Sequence, residues 1–448
     1  MRDDIFKAYD VRGLYPDEID AAAGRAIGFG LGRFLDRHRR GAVVIGRDMR
    51  AGSEELAAGL TAGLQHAGRG VIDIGRVTTP MAYFAVNRLG AAGGAMVTAS
   101  HNPGRYNGVK LVREEAIPLG SGSGLEEVRD EALRAPAIGG TASAAESVSV
   151  ADDYARFLID RFGTRFRRKV VIDAGNGMAG EIVPRVLDPL GVDYDALFFE
   201  PDGAFPNHEA NPLKDENLAD LKRAVRRVEG SIGVAFDGDG DRVAFLDETG
   251  ARVRGDLITA LLAESLLDGA GEVLYDLRSS HAVPEAIEAI GGTPIRIRVG
   301  HAFIKQAMRE HDAVCGGELS YHYYFRDFFY CESGVLAMLV VLRRLEERDE
   351  RLADAVAPLD KYAHSGEIDY EVENAHRTIE RVAGAFADAA HDRLDGLTVE
   401  YPEWWFNLRA SNTEPLLRLN LEAATPEEMR DRLRCVERVI TRGEVLGA

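Results

Sequence analysis

Short runs of β-branched and aliphatic residues recur along the chain, each followed by a longer stretch whose apolar positions repeat with helical spacing. Three of these runs open alike, with a basic or glycine approach and a turn of Arg, Asp, Gly or Ser behind them. They are GAVVIGRDMR (41–50), RKVVIDAGNG (168–177) and GEVLYDLRSS (271–280). Each leads through a helical stretch to a second apolar run, near GVIDIGRV (70–77), DYDALFFE (193–200) and TPIRIRVG (293–300). Strand, helix, strand in that order predicts βαβ units and a largely parallel sheet. Recurrence at domain length predicts three related α/β domains in tandem.

A small-residue stretch, APAIGGTASAAES (135–147), reads as a surface loop or linker, and the helical pattern stops at a proline within AVAPLDKYAHSGE (355–367). Beyond it the pattern changes to a long helix over 373–392, strand-like EWWFNLRA (403–410) and LLRLNLEA (416–423), and a helix from 426. That order is α+β, so the C-terminal part is expected to form a separate, smaller domain. The expected limits are 1–147, 148–250, 251–362 and 363–448, the first three domains α/β with mixed, mostly parallel sheets. A chain of 448 residues calls for such a division, because single cores stop growing at roughly 250–300 residues.

Composition changes this picture little: 46% hydrophobic and 28% charged is ordinary for a soluble globular protein. The formal net charge of −19 argues against non-specific binding to nucleic acid or membrane. It leaves room for an anionic substrate in a cleft where Arg and Lys gather. Cys315, Cys331 and Cys435 stand far apart without a C-x-x-C, which suggests neither disulfide nor zinc and fits a reducing compartment. The opening MRDDIFKAYDVRG lacks an apolar signal core. The longest apolar run, Val335 to Leu342, falls well short of the ~18 residues that span a bilayer. A cytoplasmic location is expected.

Four motifs carry candidate chemistry. In TASHNPGRYNGVK (98–110) a strand ends near Ser100, and Asn-Pro-Gly turns the chain. Ser100 is thereby presented at the end of a buried strand, where open parallel sheets bind ligands, with His101 beside it and Lys110 returning in the next run. The same residues also suit a plain turn whose hydroxyl satisfies backbone amides. A serine hydrolase would place its nucleophile in G-x-S-x-G, which occurs nowhere in the chain.

In SIGVAFDGDGDRVAFLDE (231–248), Asp237, Asp239 and Asp241 alternate with glycines and Arg242 follows. Three carboxylates so close repel one another unless a cation or raised pKa values relieve them. Oxygen ligands alone select a hard ion, Mg²⁺ or Ca²⁺. An EF-hand would need glycine where Arg242 stands and helices where the flanks are strand-like; a solvated acidic turn is the other alternative.

In GGELSYHYYF (316–325), Glu318, Ser320 and His322 share one face of an extended segment and suit sugar hydroxyls, although a half-exposed strand reads the same way. In RASNTEP (409–415), Arg409, Ser411, Asn412 and Thr413 could surround a phosphate or simply hold a polar turn.

The order and wording of the four motifs resemble the α-D-phosphohexomutase family, in particular its phosphomannomutase/phosphoglucomutase branch. The resemblance runs from KAYDVRG (7–13) to RASNTEP, essentially the whole chain. It implies three α/β domains and a smaller fourth around a central cleft. By resemblance Ser100 is a phosphoserine, and Asp237, Asp239 and Asp241 hold Mg²⁺ together with a Ser100 phosphate oxygen. His101 and Lys110 flank the transferring phosphoryl group, Arg242 lies beside the metal loop, and Tyr9 and Arg12 line the site. His301, in GHAFIKQAM, matches a histidine near the sugar, and Glu318 and Ser320 match the sugar-hydroxyl readers, with His322 on the same face. Arg409, Ser411, Asn412 and Thr413 match the loop for the non-reacting phosphate.

Two departures stand out. Tyr321 replaces the glycine of the usual Gly-Glu-x-Ser-Gly-His, which puts sugar preference in doubt. Arg278, in DLRSS, stands where many relatives have lysine, a planar fork in place of a point charge.

The implied activity interconverts hexose 1-phosphates and 6-phosphates, with a hexose 1,6-bisphosphate as intermediate and activator and hexose phosphates as the only partners. The chain is expected as a monomer or homodimer, its fourth domain closing by rotation near residues 358–367. A phosphoglucosamine mutase, a metal-dependent phosphatase and a non-enzymatic sugar-phosphate scaffold are the competing readings.

Overall fold

Residues 2–137, 143–163, 166–410 and 416–442 are described by a computed structural model. Each of the three sequence repeats folds as expected: Val43–Arg47 runs parallel to Val71–Arg76, Val170–Asp173 to Tyr194–Leu197, and Glu272–Asp276 to Thr293–Ile297. The helices Ser53–His66, Ala179–Leu190 and Ala282–Ala289 make the crossovers.

In all three units a third parallel strand lies on the other side of the first: Gly93–Val97, Ile232–Phe236 and Cys315–Gly317. Each of these strands turns back into an antiparallel neighbour, Tyr106–Arg113, Val243–Leu246 and Tyr323–Phe325 respectively. The serine, aspartate and Gly-Glu motifs therefore occupy the same connection in three successive domains, the loop at the carboxyl end of the third strand. The second sheet also takes in Arg252–Val253.

The fourth sheet is fully antiparallel, in the order Ala363–Glu371, Leu416–Ala423, Trp404–Ala410, Leu397–Glu400, Ala390–Asp392. Here the structure corrects the expected helix over 373–392. The helix spans only Ala375–Ala385, capped by the Asn374 side chain on the Arg377 amide at 2.9 Å. The chain then forms two short strands joined by a turn at Gly396, whose φ of 75° favours glycine.

One apolar core runs through the first three domains. It joins Met81–Val86 of the first, Tyr154, Leu158 and Phe162 of the second, and Val335–Leu342 of the third. The fourth domain has its own core around Trp404, Phe406, Leu419 and Val436. Three domains sharing one core hold the three motif loops in fixed relation, and the fourth, with a core of its own, meets the third through polar contacts such as Arg296 with Glu400 at 2.6 Å. Among the described residues no helix is long and apolar enough to cross a membrane.

Candidate active site

The serine loop reaches the aspartate loop directly. Ser100 has a φ of 50°, and its hydroxyl donates to Asp237 Oδ2 at 2.7 Å. A non-glycine residue in the left-handed region is strained and must be held there. Arg50 does the holding. Its side chain is fully buried, and the guanidinium donates to the carbonyls of Ser100 (2.6 Å), Asn102 (2.6 Å), Pro103 (2.9 Å) and Tyr106 (3.1 Å). Asp48 pairs with it at 3.3 Å, and the Phe205 ring of the second domain lies 4.9 Å beneath it. Gly238 is required by the same approach, because a Cβ there would stand 2.5 Å from the Ser100 carbonyl oxygen.

The strands Ile232–Phe236 and Val243–Leu246 bring Asp237, Asp239 and Asp241 together, so that one oxygen of each lies within 4.8 Å of the others. All three are buried. Oδ1 of Asp239 is buried and accepts no hydrogen bond from any described residue, and Oδ1 of Asp241 has only His322 Nε2, 3.4 Å away, beside it. A buried carboxylate oxygen without a donor is costly, and a divalent cation is the partner that suits such a set. The residues present therefore fit a hard metal ion. Lys110 bridges the other oxygens, with Nζ 2.7 Å from Asp239 Oδ2 and also paired with Asp241. Burial opposes its charge, but the two carboxylates prevail and raise its pKa. Asp237 is held well above the ordinary carboxylate range, by burial first and then by Asp239 and Asp241.

His101 Nδ1 lies 3.3 Å from the Ser100 hydroxyl and within hydrogen-bond reach of Arg242. Burial and then the Arg242 and Arg12 charges push its pKa well down, so the ring is neutral. Arg12 donates to Asn102 Oδ1 at 2.6 Å and pairs with Asp10, which places it on the serine loop. An antiparallel bridge pairs Arg242 with His322 and ties the metal loop to the Gly-Glu loop. Burial and Arg242 oppose a charge on His322. The carboxylates of Asp241 (3.4 Å) and Glu318 (3.0 Å) outweigh them and hold its pKa at about 9.

Glu318 also accepts from the Tyr324 hydroxyl at 2.7 Å and the Gly300 amide at 3.3 Å. Burial raises its pKa, but His322, Arg278 and Tyr324 bring it down to about 2, so it is a buried anion. Ser320 lies 3.3 Å from His322. His301 meets Tyr9 edge-on at 5.5 Å, and its buried Nδ1 has no hydrogen-bond partner among the described residues. Arg278 and Arg409 meet at one carboxylate, Glu367, at 3.2 Å and 2.9 Å, with Arg418 at 3.2 Å. Ser411, Asn412 and Thr413 lie outside the described residues.

Tyr321 is buried. Its backbone is left-handed, with φ 70°, and its amide donates to the Glu318 carbonyl at 3.1 Å. The ring is buried in the core shared by the first three domains, against Gly255. A Tyr321→Gly variant is therefore expected to keep the ratio of kcat/KM values between hexose phosphates. It should lose about 2–4 kcal/mol of stability in urea unfolding, the cavity cost less the relieved strain. A changed sugar preference at unchanged stability would contradict this placement.

The sequence patterns did not single out Arg50, Thr79 or Glu367. Arg50 had a signal, since Asp48 and Arg50 follow directly on an apolar strand at its carboxyl end. Thr79 and Glu367 had none, because their partners are far along the chain.

Domain models named for phosphoglucomutase/phosphomannomutase match in order: alpha/beta/alpha domain I at residues 3–134, domain II at 152–250, domain III at 254–362 and the C-terminal domain at 367–436. A protein from Xanthomonas campestris named phosphohexose mutases is 43% identical over 426 residues, 93% of this chain and 94% of its own. A phosphomannomutase from Escherichia coli is 39% identical over 434 residues, 93% of this chain and 94% of its own. The crystal structure of a phosphoglucomutase/phosphomannomutase family protein from Burkholderia thailandensis superposes with a TM-score of 0.88 at 32% identity, covering 99% of each chain. Four domain models of one family in unbroken order, together with relatives matched over nearly their whole length, mean that this chain belongs to the phosphoglucomutase/phosphomannomutase family, enzymes that move a phosphate within a sugar.

Proposed function

We propose that the chain interconverts hexose 1-phosphates and hexose 6-phosphates of the mannose and glucose type through a phosphate carried on Ser100, in the cytoplasm. The observation that carries the reading is the 2.7 Å contact between the Ser100 hydroxyl and Asp237, which joins a nucleophile loop of one domain to an acidic loop of the next.

In the first half-reaction a free hydroxyl of the bound hexose phosphate attacks the phosphorus on Ser100. The new O–P bond forms as the Ser100 Oγ–P bond breaks. The attacking hydroxyl gives up its proton and Ser100 ends as the alcohol. Arg242 and Lys110 offset charge on the phosphoryl oxygens. Asp237, Asp239 and Asp241 would hold Mg²⁺, which when bound polarises the phosphoryl oxygens. Neutral His101 is placed to take or return the proton at Ser100 Oγ.

Anionic Glu318, with Ser320 and His322, accepts and donates to sugar hydroxyls. Arg278 and Arg409 face the phosphate that does not react, with Ser411, Asn412 and Thr413. The bisphosphate formed must turn end for end and return its other phosphate to Ser100. That demands exclusion of water, and the fourth domain, with its separate core, is suited to close over the cleft.

Intact-mass analysis tests the reading. Protein incubated with hexose 1,6-bisphosphate should carry one phosphate, located on the peptide containing Ser100, and lose it to added hexose phosphate. Full mutase turnover with no phosphate ever found on that peptide would sink the mechanism.

A further inference from the structure

We propose that Thr79, in the first domain, is a positioning residue for the metal site of the second. It selects which oxygen of Asp239 faces the cation. The inference rests on the reading of the aspartate loop as a Mg²⁺ site.

Thr79 is fully buried and opens the helix Thr79–Arg88. Its hydroxyl donates to Asp239 Oδ2 at 2.5 Å, and its backbone amide donates to the Asp239 carbonyl at 2.9 Å. One residue of the first domain thus grips both side chain and main chain of one aspartate of the second. Thr78 caps the helix through the Met81 amide at 3.2 Å. It also packs on the aspartate loop, where a Cβ at Gly240 would lie 3.1 Å from its methyl group. The helix therefore points its positive end at the carboxylate.

The chemistry follows from the count of donors. Asp239 Oδ2 takes the Thr79 hydroxyl and Lys110 Nζ (2.7 Å), whereas Oδ1 is buried and takes none from the described residues. With both outward donors committed to Oδ2, Oδ1 is the oxygen left for a cation. Without the hydroxyl, that oxygen keeps a single donor, Lys110, which it shares with Asp241, and the carboxylate is less firmly fixed. Groups that orient a ligand in this way govern metal affinity although they never touch the ion. Mg²⁺ demands near-ideal octahedral geometry whereas Ca²⁺ tolerates variation, so a loosened Asp239 should harm Mg²⁺ binding more. Serine and metal loop are then set by the same domain: Ser100, Lys110 and Thr79 all reach across to the aspartates from it.

The test is calorimetric titration of full-length, EDTA-stripped protein with MgCl₂ and, separately, CaCl₂. Thr79→Val keeps the shape of the side chain and removes its hydroxyl. It should weaken Mg²⁺ binding roughly 10- to 100-fold and Ca²⁺ binding less, while Thr79→Ser binds both as the wild type does. Wild-type Mg²⁺ affinity in Thr79→Val, or equal loss of the two ions, would overturn the proposal. Should Thr79→Val fail to fold, Thr79→Ser decides: full Mg²⁺ affinity supports the role of the hydroxyl, and a large loss refutes it. A wild-type protein that binds no Mg²⁺ at all would instead bring down the reading of the aspartate loop.

Discussion

Ser100→Ala should lower mutase turnover by roughly 10⁴-fold or more, the scale on which removal of a covalent nucleophile is felt. Phosphate should vanish from the corresponding peptide even in the presence of hexose 1,6-bisphosphate. The variant should fold normally. Alanine takes over the left-handed backbone at no greater strain than serine, and the four carbonyl bonds to Arg50 do not involve the lost hydroxyl. Asp237 loses one donor to Oδ2 but keeps the Gly240 and Arg242 amides on Oδ1, at 3.0 Å and 3.3 Å. The stability change should stay within about 1 kcal/mol, the net worth of one hydrogen bond. A coupled mutase assay and a urea titration on the same preparation check both halves. Turnover near the wild-type rate would remove Ser100 from the mechanism, while lost activity accompanied by gross unfolding would leave its chemical role unproven.

The contrast between Ser100 and its support explains what the sequence could reveal. Ser100, His101, the three aspartates and Glu318 sit on contiguous motifs, each at the end of an apolar strand, and topology then brings the loops together. Arg50 serves the same loop from the end of another strand, whereas Thr79 and Glu367 act across domain boundaries, so no local spacing marks those two. The βαβ units were readable from their first strands, Val43–Arg47, Val170–Asp173 and Glu272–Asp276, whose largely buried residues form nearly unbroken apolar runs. The fourth domain was less so. Ala390–Asp392 and Leu397–Glu400 are short, and in Ala363–Glu371 the alternation is confined to Ile368 and Tyr370, both only half-buried, after a polar and glycine-containing start. Tyr321 was open to misreading for a related reason. Its neighbours in the loop are read from the motif, but the backbone φ of 70° and the burial of its ring in the core are visible only in the fold.

Asp237→Asn is expected to separate stability from function in the opposite sense to an ordinary core mutation. At neutral pH the carboxylate of Asp237 is a liability in the metal-free fold, for burial and the neighbouring Asp239 and Asp241 hold its pKa well above the ordinary value. A raised folded-state pKa means that the ionised form weakens the fold at pH values above it, and that stability rises as pH falls through it. The amide removes that charge. Its oxygen can still accept from the Gly240 and Arg242 amides, and its nitrogen can face the Ser100 oxygen. The midpoint of thermal unfolding in EDTA should therefore rise by a few degrees. In return the loop loses one of three anionic ligands, so the upward shift of the midpoint on adding MgCl₂ should disappear. Turnover should fall by at least roughly 10²- to 10³-fold, as when a single stabilising partner of the transition state is removed. Thermal scans of wild type and variant, with EDTA and with MgCl₂, read all of this in one experiment. A variant less stable than wild type in EDTA would show that Arg242 and Lys110 already compensate the triad without a metal ion. A variant still stabilised by MgCl₂ would move the ion away from Asp237, and with it the tie between the metal loop and the serine.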